Sequence, residues 1–406
     1  MRKSMKWIMA LLILTGMLSI CSCQSGPEAE TEEKPDKAPV EEADSEGGNK
    51  KAESVRSQVR IEEIDFTRIS GQEIQITWSD RNGSCVEEYE IKRRKSGETG
   101  WETIAVQDSG GNGQETGFSY TDVLEDSAFR QYEYRVDVKV KEDEMYEAVE
   151  GKPVLASNIL ICIDPGHYEG KNAVDPEGTA YTEGDFTLEL ALELRKILKE
   201  TYGITACLTR ESGTVNIGGY ENDILDGAHI HLRGEYARGS DLFLSLHTNA
   251  NLEGANGYGT ISQPIQIMKP VIIANTIACD SSLAIHVGNR MGSRLAEAGA
   301  RMEIAVPGKF REVSGKNEMI PWTDAFNDSL EQAGTICYRT DGNGDYYGVL
   351  RGAANVGVPG MIIEHGFHTV PRMRELAAQG TLKEQWAFAD AQGIAEGFGL
   401  EKGMEE

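Results

Sequence analysis

Ile159-Leu160-Ile161-Cys162-Ile163-Asp164-Pro165-Gly166-His167 is an apolar run the length of a buried strand that ends abruptly in polar residues. Two later stretches repeat the pattern: Leu242-Phe243-Leu244-Ser245-Leu246 runs into His247, and Gly360-Met361-Ile362-Ile363 runs into Glu364. Continuous apolar runs suit strands covered on both faces. Helical patterns separate them. One starts near Thr182-Glu183-Gly184-Asp185, a capping-box-like sequence, and sets Phe186, Leu190, Leu194 and Ile197 on one side at helical spacing. Strands alternating with helices predict an α/β unit with a mostly parallel sheet flanked by helices, in which ligands collect at the carboxyl ends of the strands. His167, His247 and Glu364 all fall at such ends, so three scattered residues become one candidate site.

Taken singly, each residue has a plainer explanation. A histidine after a strand serves as a hydrogen-bonded loop residue, and Glu183 complements the helix dipole at the first turn. Glu364 is harder to explain away. A carboxylate following Met361-Ile362-Ile363 is expected to be partly desolvated, which raises its pKa and suits it to proton transfer. Among the remaining histidines, His229 and His231 read as a surface pair, His286 as a partly exposed helical residue, and His365 and His368 as supports of the loop beside Glu364, with substrate contact as the other reading. Arg210 and Arg351 suit either peptide carboxylates or buried ion pairs.

The whole chain of 406 residues is 39% hydrophobic, enough for a core and against wholesale disorder. Its 66 acidic against 40 basic side chains give a net charge of -26, which repels phosphate backbones and excludes nucleic acid as an expected partner. The cysteines left after the N-terminal pair, Cys85, Cys162, Cys207, Cys279 and Cys337, are odd in number and lack CxxC spacing. That pattern points away from a disulfide framework or a cysteine zinc knuckle and toward small packed apolar residues.

Residues 57–156 change to period-two alternation, as in Ile74-Gln75-Ile76-Thr77-Trp78, Tyr89-Glu90-Ile91-Lys92-Arg93 and Tyr132-Glu133-Tyr134-Arg135-Val136-Asp137-Val138. Such alternation, punctuated by glycine-rich turns, predicts a small all-β sandwich. The region resembles a fibronectin type III domain, with Trp78 in the place of that family's core tryptophan and Leu124 and Tyr132 matching its leucine and corner tyrosine. It carries no catalytic constellation and reads as a spacer or docking surface. Trp101 reads as a packed strand residue, with sugar stacking as the alternative.

At the N-terminus, Arg2, Lys3 and Lys6 precede the apolar run from Trp7 to Ile20, which is shorter than the roughly 20 residues a membrane-crossing helix needs. It reads as an export signal. Ile20-Cys21-Ser22-Cys23 resembles the lipobox of bacterial lipoproteins, which implies a signal over 1–23 and lipidation of Cys23; an ordinary secretory signal cut nearby is the alternative. Residues 24–56 follow as an acidic, disordered linker, spanning roughly 30 Å as a flexible chain.

The segment 158–400 resembles the zinc-dependent N-acetylmuramoyl-L-alanine amidases of the amidase_3 type, which trim bacterial peptidoglycan. Asp164-Pro165-Gly166-His167 matches the motif of the first zinc histidine. Glu183, with Gly184-Asp185-Phe186-Thr187-Leu188 after it, matches the glutamate ligand, and Ser245-Leu246-His247-Thr248-Asn249-Ala250 matches the motif of the last histidine. Glu364-His365-Gly366-Phe367 matches the segment of the catalytic glutamate. The resemblance implies one Zn2+ per chain on His167, Glu183 and His247, and a zinc-activated water that cleaves the amide between N-acetylmuramic acid and L-alanine. Glu364 would take the proton, and Asn249 and Arg351 would be substrate contacts. It also implies peptidoglycan as partner and an extracytoplasmic enzyme, lipid-anchored to the membrane and facing the wall; no residue pattern names an activator protein.

Tyr168-Glu169-Gly170 stand where the family has glycines, and His368-Thr369-Val370 where it often has Ser-Asn, so the rim differs while every ligand is kept. Residues 251–335 are longer than the family core requires and are expected to form a lid or stem-peptide wall, with a helix around Ser282 to Ala298. Two other functions fit less well: a zinc peptidase acting within the stem peptide, and a non-catalytic cell-wall-binding lipoprotein.

Overall fold

The computed structural model describes residues 56–81, 85–110, 116–142, 145–174, 180–250, 269–276, 280–304, 308–327 and 332–400. They belong to one compact unit. Cys23, the export signal and all but the last residue of the acidic linker lie outside the described residues. No helix among the described residues is long and apolar enough to cross a membrane.

Beside a short parallel pair, Ser57–Val59 with Tyr146–Ala148, seven strands make up the first part: β1 (Ile64–Ser70), β2 (Glu73–Asp80), β3 (Val86–Lys95), β4 (Glu102–Asp108), β5 (Thr116–Val123), β6 (Gln131–Val140) and β7 (Val154–Ser157). They form two antiparallel sheets, ordered β1-β2-β5 and β4-β3-β6-β7. The alternation seen in the sequence points Ile74, Ile76 and Trp78 of β2 toward Tyr89 and Ile91 of β3 and Tyr134 and Val136 of β6, all buried in one core. Leu124 and Tyr132 are buried with them. Trp101 is not a strand residue; it precedes β4, with the guanidinium groups of Arg94 and Arg135 4.4 and 4.5 Å from its ring centre.

The α/β part follows with β8 (Leu160–Pro165), α1 (Glu183–Tyr202), β9 (Thr205–Leu208), α2 (His231–Glu235), β10 (Leu242–Asn249), β11 (Val271–Ala274), α3 (Ser282–Arg301) and β12 (Lys309–Arg311). Leaving aside pieces of two or three residues, the later elements are α4 (Trp322–Asn327), β13 (Gln332–Tyr338), α5 (Gly348–Asn355), β14 (Gly360–Phe367), α6 (Pro371–Ala378) and α7 (Thr381–Phe398). The sheet order is β9-β8-β10-β14-β11-β13-β12, with Ile320–Pro321 paired beside β13. Neighbours are parallel except β11 against β14, so the sheet is mixed.

Strand side chains alternate between two helical layers, as a period of two requires. Ile161, Ile163, Leu242, Leu244, Leu246, Met361 and Ile363 face the core shared with α1, α3 and α7. Cys162, Phe243 and Ile362 face the other, with Val349, Leu350 and Ala353 of α5. Asp164, Ser245, His247 and Glu364 share the parity of this second set, which puts them on the α2/α5 side at the carboxyl end of the sheet.

Two expectations need correction. Residues 251–335 are not a lid where they are described: β11 is an interior strand with Val271, Ile272 and Ile273 buried, and α3 buries Ile285, Val287, Met291 and Leu295 in the main core. Residues 251–268 lie outside the described residues. Thr182 stands at the N-cap of α1 but makes no side-chain capping bond, and Asp185, three residues on, accepts instead from the Gly170 amide at 3.2 Å.

Hydrogen bonds cross the expected boundary between the two parts. Asn158 donates through Nδ2 to the carbonyls of Gly71 and Ala128 (2.8 and 2.9 Å) and accepts at Oδ1 from the Arg130 amide (2.8 Å). Gln131 Nε2 donates to the Tyr202 carbonyl at 2.9 Å, and Arg68 reaches Asp241 at 3.3 Å. These partners lie at the amino ends of the parallel strands, away from the candidate site.

Candidate active site

Three elements deliver the donors. His167 follows β8 with a φ of 59°, a left-handed conformation that costs a non-glycine residue energy. Glu183 is the first residue of α1, and His247 lies within β10. One ligand atom from each lies within 4.8 Å of the others. The His167 Nε2–Glu183 Oε2 distance is 3.3 Å and the His247 Nδ1–Glu183 Oε1 distance 3.1 Å, with the two rings edge to face. Gly166 makes this approach possible, since a Cβ there would strike the His247 ring and the Leu246 carbonyl.

Neighbouring polar groups brace the cluster. The Thr248 amide donates to Glu183 Oε1 (2.9 Å) and Asn172 Nδ2 to Glu183 Oε2 (2.8 Å). Asp226 lies 3.0 and 3.1 Å from His167 Nδ1, and Ser245 Oγ 3.2 Å from His247 Nε2. The Thr248 hydroxyl meets Tyr181 and His368, each at 3.0 Å. Asp226, Asn172 and Tyr181 carry no motif spacing that sequence reading could use, whereas Thr248 lies inside the motif of the last histidine.

The charges settle around a cation. Burial opposes a protonated His167, but hydrogen bonds to Asp226 and Glu183 outweigh it and raise the ring to about 10. Burial likewise pushes Glu183 up, yet the two histidines hold it well below the ordinary carboxylate value. With no metal bound, a proton supplies the positive charge these donors attract; a divalent ion competes for the same place. Two imidazoles and one buried carboxylate fit a zinc-like ion in donor type and number.

Glu364 lies within β14, in register with His247. Burial, reinforced by the charge of Glu183, raises its carboxyl to about 8, and its buried Oε2 has no hydrogen-bond partner in the protein. A cavity of about 280 Å3 joins His167, Glu183, His247 and Glu364, with Asn249, Tyr347, Val349 and His368 on its walls. A larger cavity of about 600 Å3, at the start of α3, holds none of these donors.

The structure therefore brings together His167, Glu183, His247, Glu364 and Asn249. Arg351 is not at the cavity: its Nη1 donates to the carbonyls of Asp345 and Tyr346, tying down the turn before α5. Arg210 is buried, donating to the carbonyls of Pro165, Gly166, Gly184 and Ser212 rather than meeting a carboxylate. His365 is buried behind the site, His286 is exposed, and His229 stacks on Tyr220.

Comparison with solved structures gives three examples at low identity. The N-acetylmuramoyl-L-alanine amidase from Clostridium difficile 630 is 18% identical over 59% of this chain and 95% of that one, with a TM-score of 0.37. The catalytic domain of CwlV, an N-acetylmuramoyl-L-alanine amidase from Bacillus (Paenibacillus) polymyxa var. colistinus, is 16% identical over 60% of this chain and 99% of that one, with a TM-score of 0.39. The CwlD amidase from Clostridioides difficile, in complex with the GerS lipoprotein, is 15% identical over 60% and 99%, also with a TM-score of 0.39. No curated protein matches. The family model described as N-acetylmuramoyl-L-alanine amidase matches residues 161–396, from the strand that carries Asp164 to the last helix and over more than half of the sequence, and the chain accordingly belongs to the Amidase_3 family of peptidoglycan amidases.

Proposed function

We propose that this amidase cleaves the bond between N-acetylmuramic acid and L-alanine as a one-zinc enzyme, with His167, Glu183 and His247 as ligands and Glu364 as the proton-transferring residue. The observation that supports this is the convergence of three donor atoms within 4.8 Å beside a buried carboxylate oxygen that no protein group satisfies. Three protein ligands leave a fourth position open, as hydrolytic zinc sites require. When bound, zinc supplies Lewis acidity, polarising the lactyl carbonyl and acidifying water. Glu364 accepts the proton of the attacking water at its carboxylate and passes it to the departing amine of L-alanine. Its unpartnered Oε2 leaves that oxygen free for the exchange. Thr248 and Asn172 keep Glu183 turned toward the histidines, and Asn249 on the cavity wall contacts the substrate.

The same reading makes the protein an extracytoplasmic lipoprotein anchored through Cys23, a proposal supported by the N-terminal sequence. The β-sandwich is read as a fibronectin type III-like module, supported by its two-sheet core around Trp78, Leu124 and Tyr132.

Digestion of purified peptidoglycan by the zinc-loaded full chain tests the proposal. Mass analysis should find released stem peptides with free L-alanine amino ends beside intact glycan strands with free lactyl carboxyls, both lost on chelation and restored by zinc. Cuts confined to the stem peptide would reveal a peptidase, and wall binding without hydrolysis a non-catalytic protein; either result overturns the proposal.

A further inference from the structure

The two histidines turn opposite nitrogens toward Glu183. His167 presents Nε2 and keeps Nδ1 against both oxygens of Asp226, at 3.0 and 3.1 Å. His247 presents Nδ1 and keeps Nε2 3.2 Å from Ser245 Oγ. A carboxylate can only accept, so in the neutral ring that a metal requires, the proton of His167 belongs on Nδ1 and the lone pair on Nε2. Ser245 donates its single hydroxyl proton to Asp164 Oδ2 at 2.7 Å. Its oxygen can therefore only accept from His247, which leaves the lone pair of that ring on Nδ1.

One buried cation joins the two arrangements. Arg233, 1% exposed, donates through Nε to Asp164 Oδ1 (2.9 Å) and through Nη1 to the His167 carbonyl (3.0 Å). The same Nη1 lies 3.8 Å from Asp226 Oδ1. Asp164 and Asp226, which would repel each other and the anionic Glu183 in so dry a place, share this guanidinium.

We propose that Asp226 and Ser245 are positioning residues that set which ring nitrogen each histidine offers to the metal, Nε2 from His167 and Nδ1 from His247, with Arg233 holding the supporting carboxylates. The inference rests on the triad being the metal centre. It goes further in assigning a role to Asp226, from a stretch with no recognisable motif, and in requiring unlike coordination by two like residues. Outer partners of ligating histidines are worth about 10- to 100-fold in metal affinity.

Two measurements on the full chain test it. Nitrogen-15 NMR of the imidazoles in the zinc-loaded protein should show one ring bound through Nε2 and the other through Nδ1; two rings bound through the same nitrogen would overturn the proposal. Competition with a chromophoric chelator should show zinc binding weakened about 10- to 100-fold in Asp226→Leu and in Ser245→Ala, and largely recovered in Asp226→Asn and Ser245→Thr, which keep an acceptor. Thermal unfolding of the metal-free variants separates this effect from misfolding. Folded Asp226→Leu and Ser245→Ala proteins that bind zinc as tightly as the parent would refute the positioning role, whereas a folded parent that binds no zinc would refute the metal centre itself and the role with it.

Discussion

His247 and Glu364 are register partners in adjacent parallel strands, β10 and β14, so the carboxyl end of the sheet sets the proposed ligand and the proposed proton-transferring carboxylate side by side. Their spacing is fixed by the backbone ladder rather than by a flexible loop. The two residues can therefore be separated by chemistry. His247→Ala should lose both zinc and muropeptide hydrolysis, while Glu364→Gln should keep zinc and lose turnover by about a hundred- to ten-thousand-fold. Metal content and product release, measured together on each variant, check this; full turnover in Glu364→Gln would remove its assigned role.

The raised pKa of Glu364 has a consequence for stability in the metal-free protein. Its folded value, about 8, lies above its ordinary 4.5, so the folded state binds the extra proton. The contribution is fully present below pH 4.5 and is lost as pH rises through 8, with a slope of up to about 1.4 kcal/mol per pH unit. Glu364→Gln, which cannot ionise, should escape that loss. Unfolding of both chelated proteins from pH 5 to about 9 should give curves that diverge, with the variant gaining relative stability toward high pH. Parallel curves would show that burial does not perturb this carboxyl.

Much of the site was legible because buried strands leave a strong signal where they stop being apolar. Each run ends at the residue that enters the cavity, and Ser245, a hydroxyl inside Leu242–Leu246, marks the same face by parity. The core strand within 251–335 was missed for a related reason. Val271-Ile272-Ile273-Ala274 is a four-residue apolar run of the same kind, but its reversed direction and its distance from any motif hid its place between β14 and β13. Asp226 was invisible because a loop, not a period, carries it to His167. Arg351 was overvalued: a cation near the site met backbone carbonyls first.

Behind the site, His365 and Asp390 form a buried pair, Nε2 to Oδ2 at 2.8 Å, and His365 Nδ1 donates to the His247 carbonyl at 3.1 Å. Burial raises the Asp390 carboxyl, and His365 opposes that rise. Removing one member leaves the other without compensation. Asp390→Ala should cost about 3–5 kcal/mol in chemical denaturation; a loss well under about 1 kcal/mol would mean the pair contributes little.

At the opposite end of the sheet, Asn158 joins three backbone groups of the β-sandwich. Asn158→Ala leaves two carbonyls and one amide without this partner, at about 1 kcal/mol for each net bond. The expected loss is about 2–4 kcal/mol in thermal or denaturant unfolding, with zinc affinity unchanged because the ligands sit at the other strand ends. A variant with altered zinc affinity would show that the sandwich constrains the site.

Gly166 permits the approach of β8 to the His247 ring, and a methyl group there would lie 2.5 Å from Cε1 and 2.7 Å from Nδ1, the nitrogen turned toward Glu183. It would also meet the Leu246 carbonyl at 2.6 Å, which leaves the ring no easy retreat along the strand. Gly166→Ala should therefore cost about 1–3 kcal/mol in overpacking and weaken zinc binding, because relief comes chiefly from turning His247 away from Glu183. Gly170→Ala is the control: its φ of 76° makes the substitution strained, but nothing lies within 4 Å of the added methyl. It should lose about 1 kcal/mol of stability and keep its metal affinity. Equal zinc affinity in Gly166→Ala and the parent would show that β10 can yield without moving the ligand, and that the close approach of the two strands is not what fixes His247.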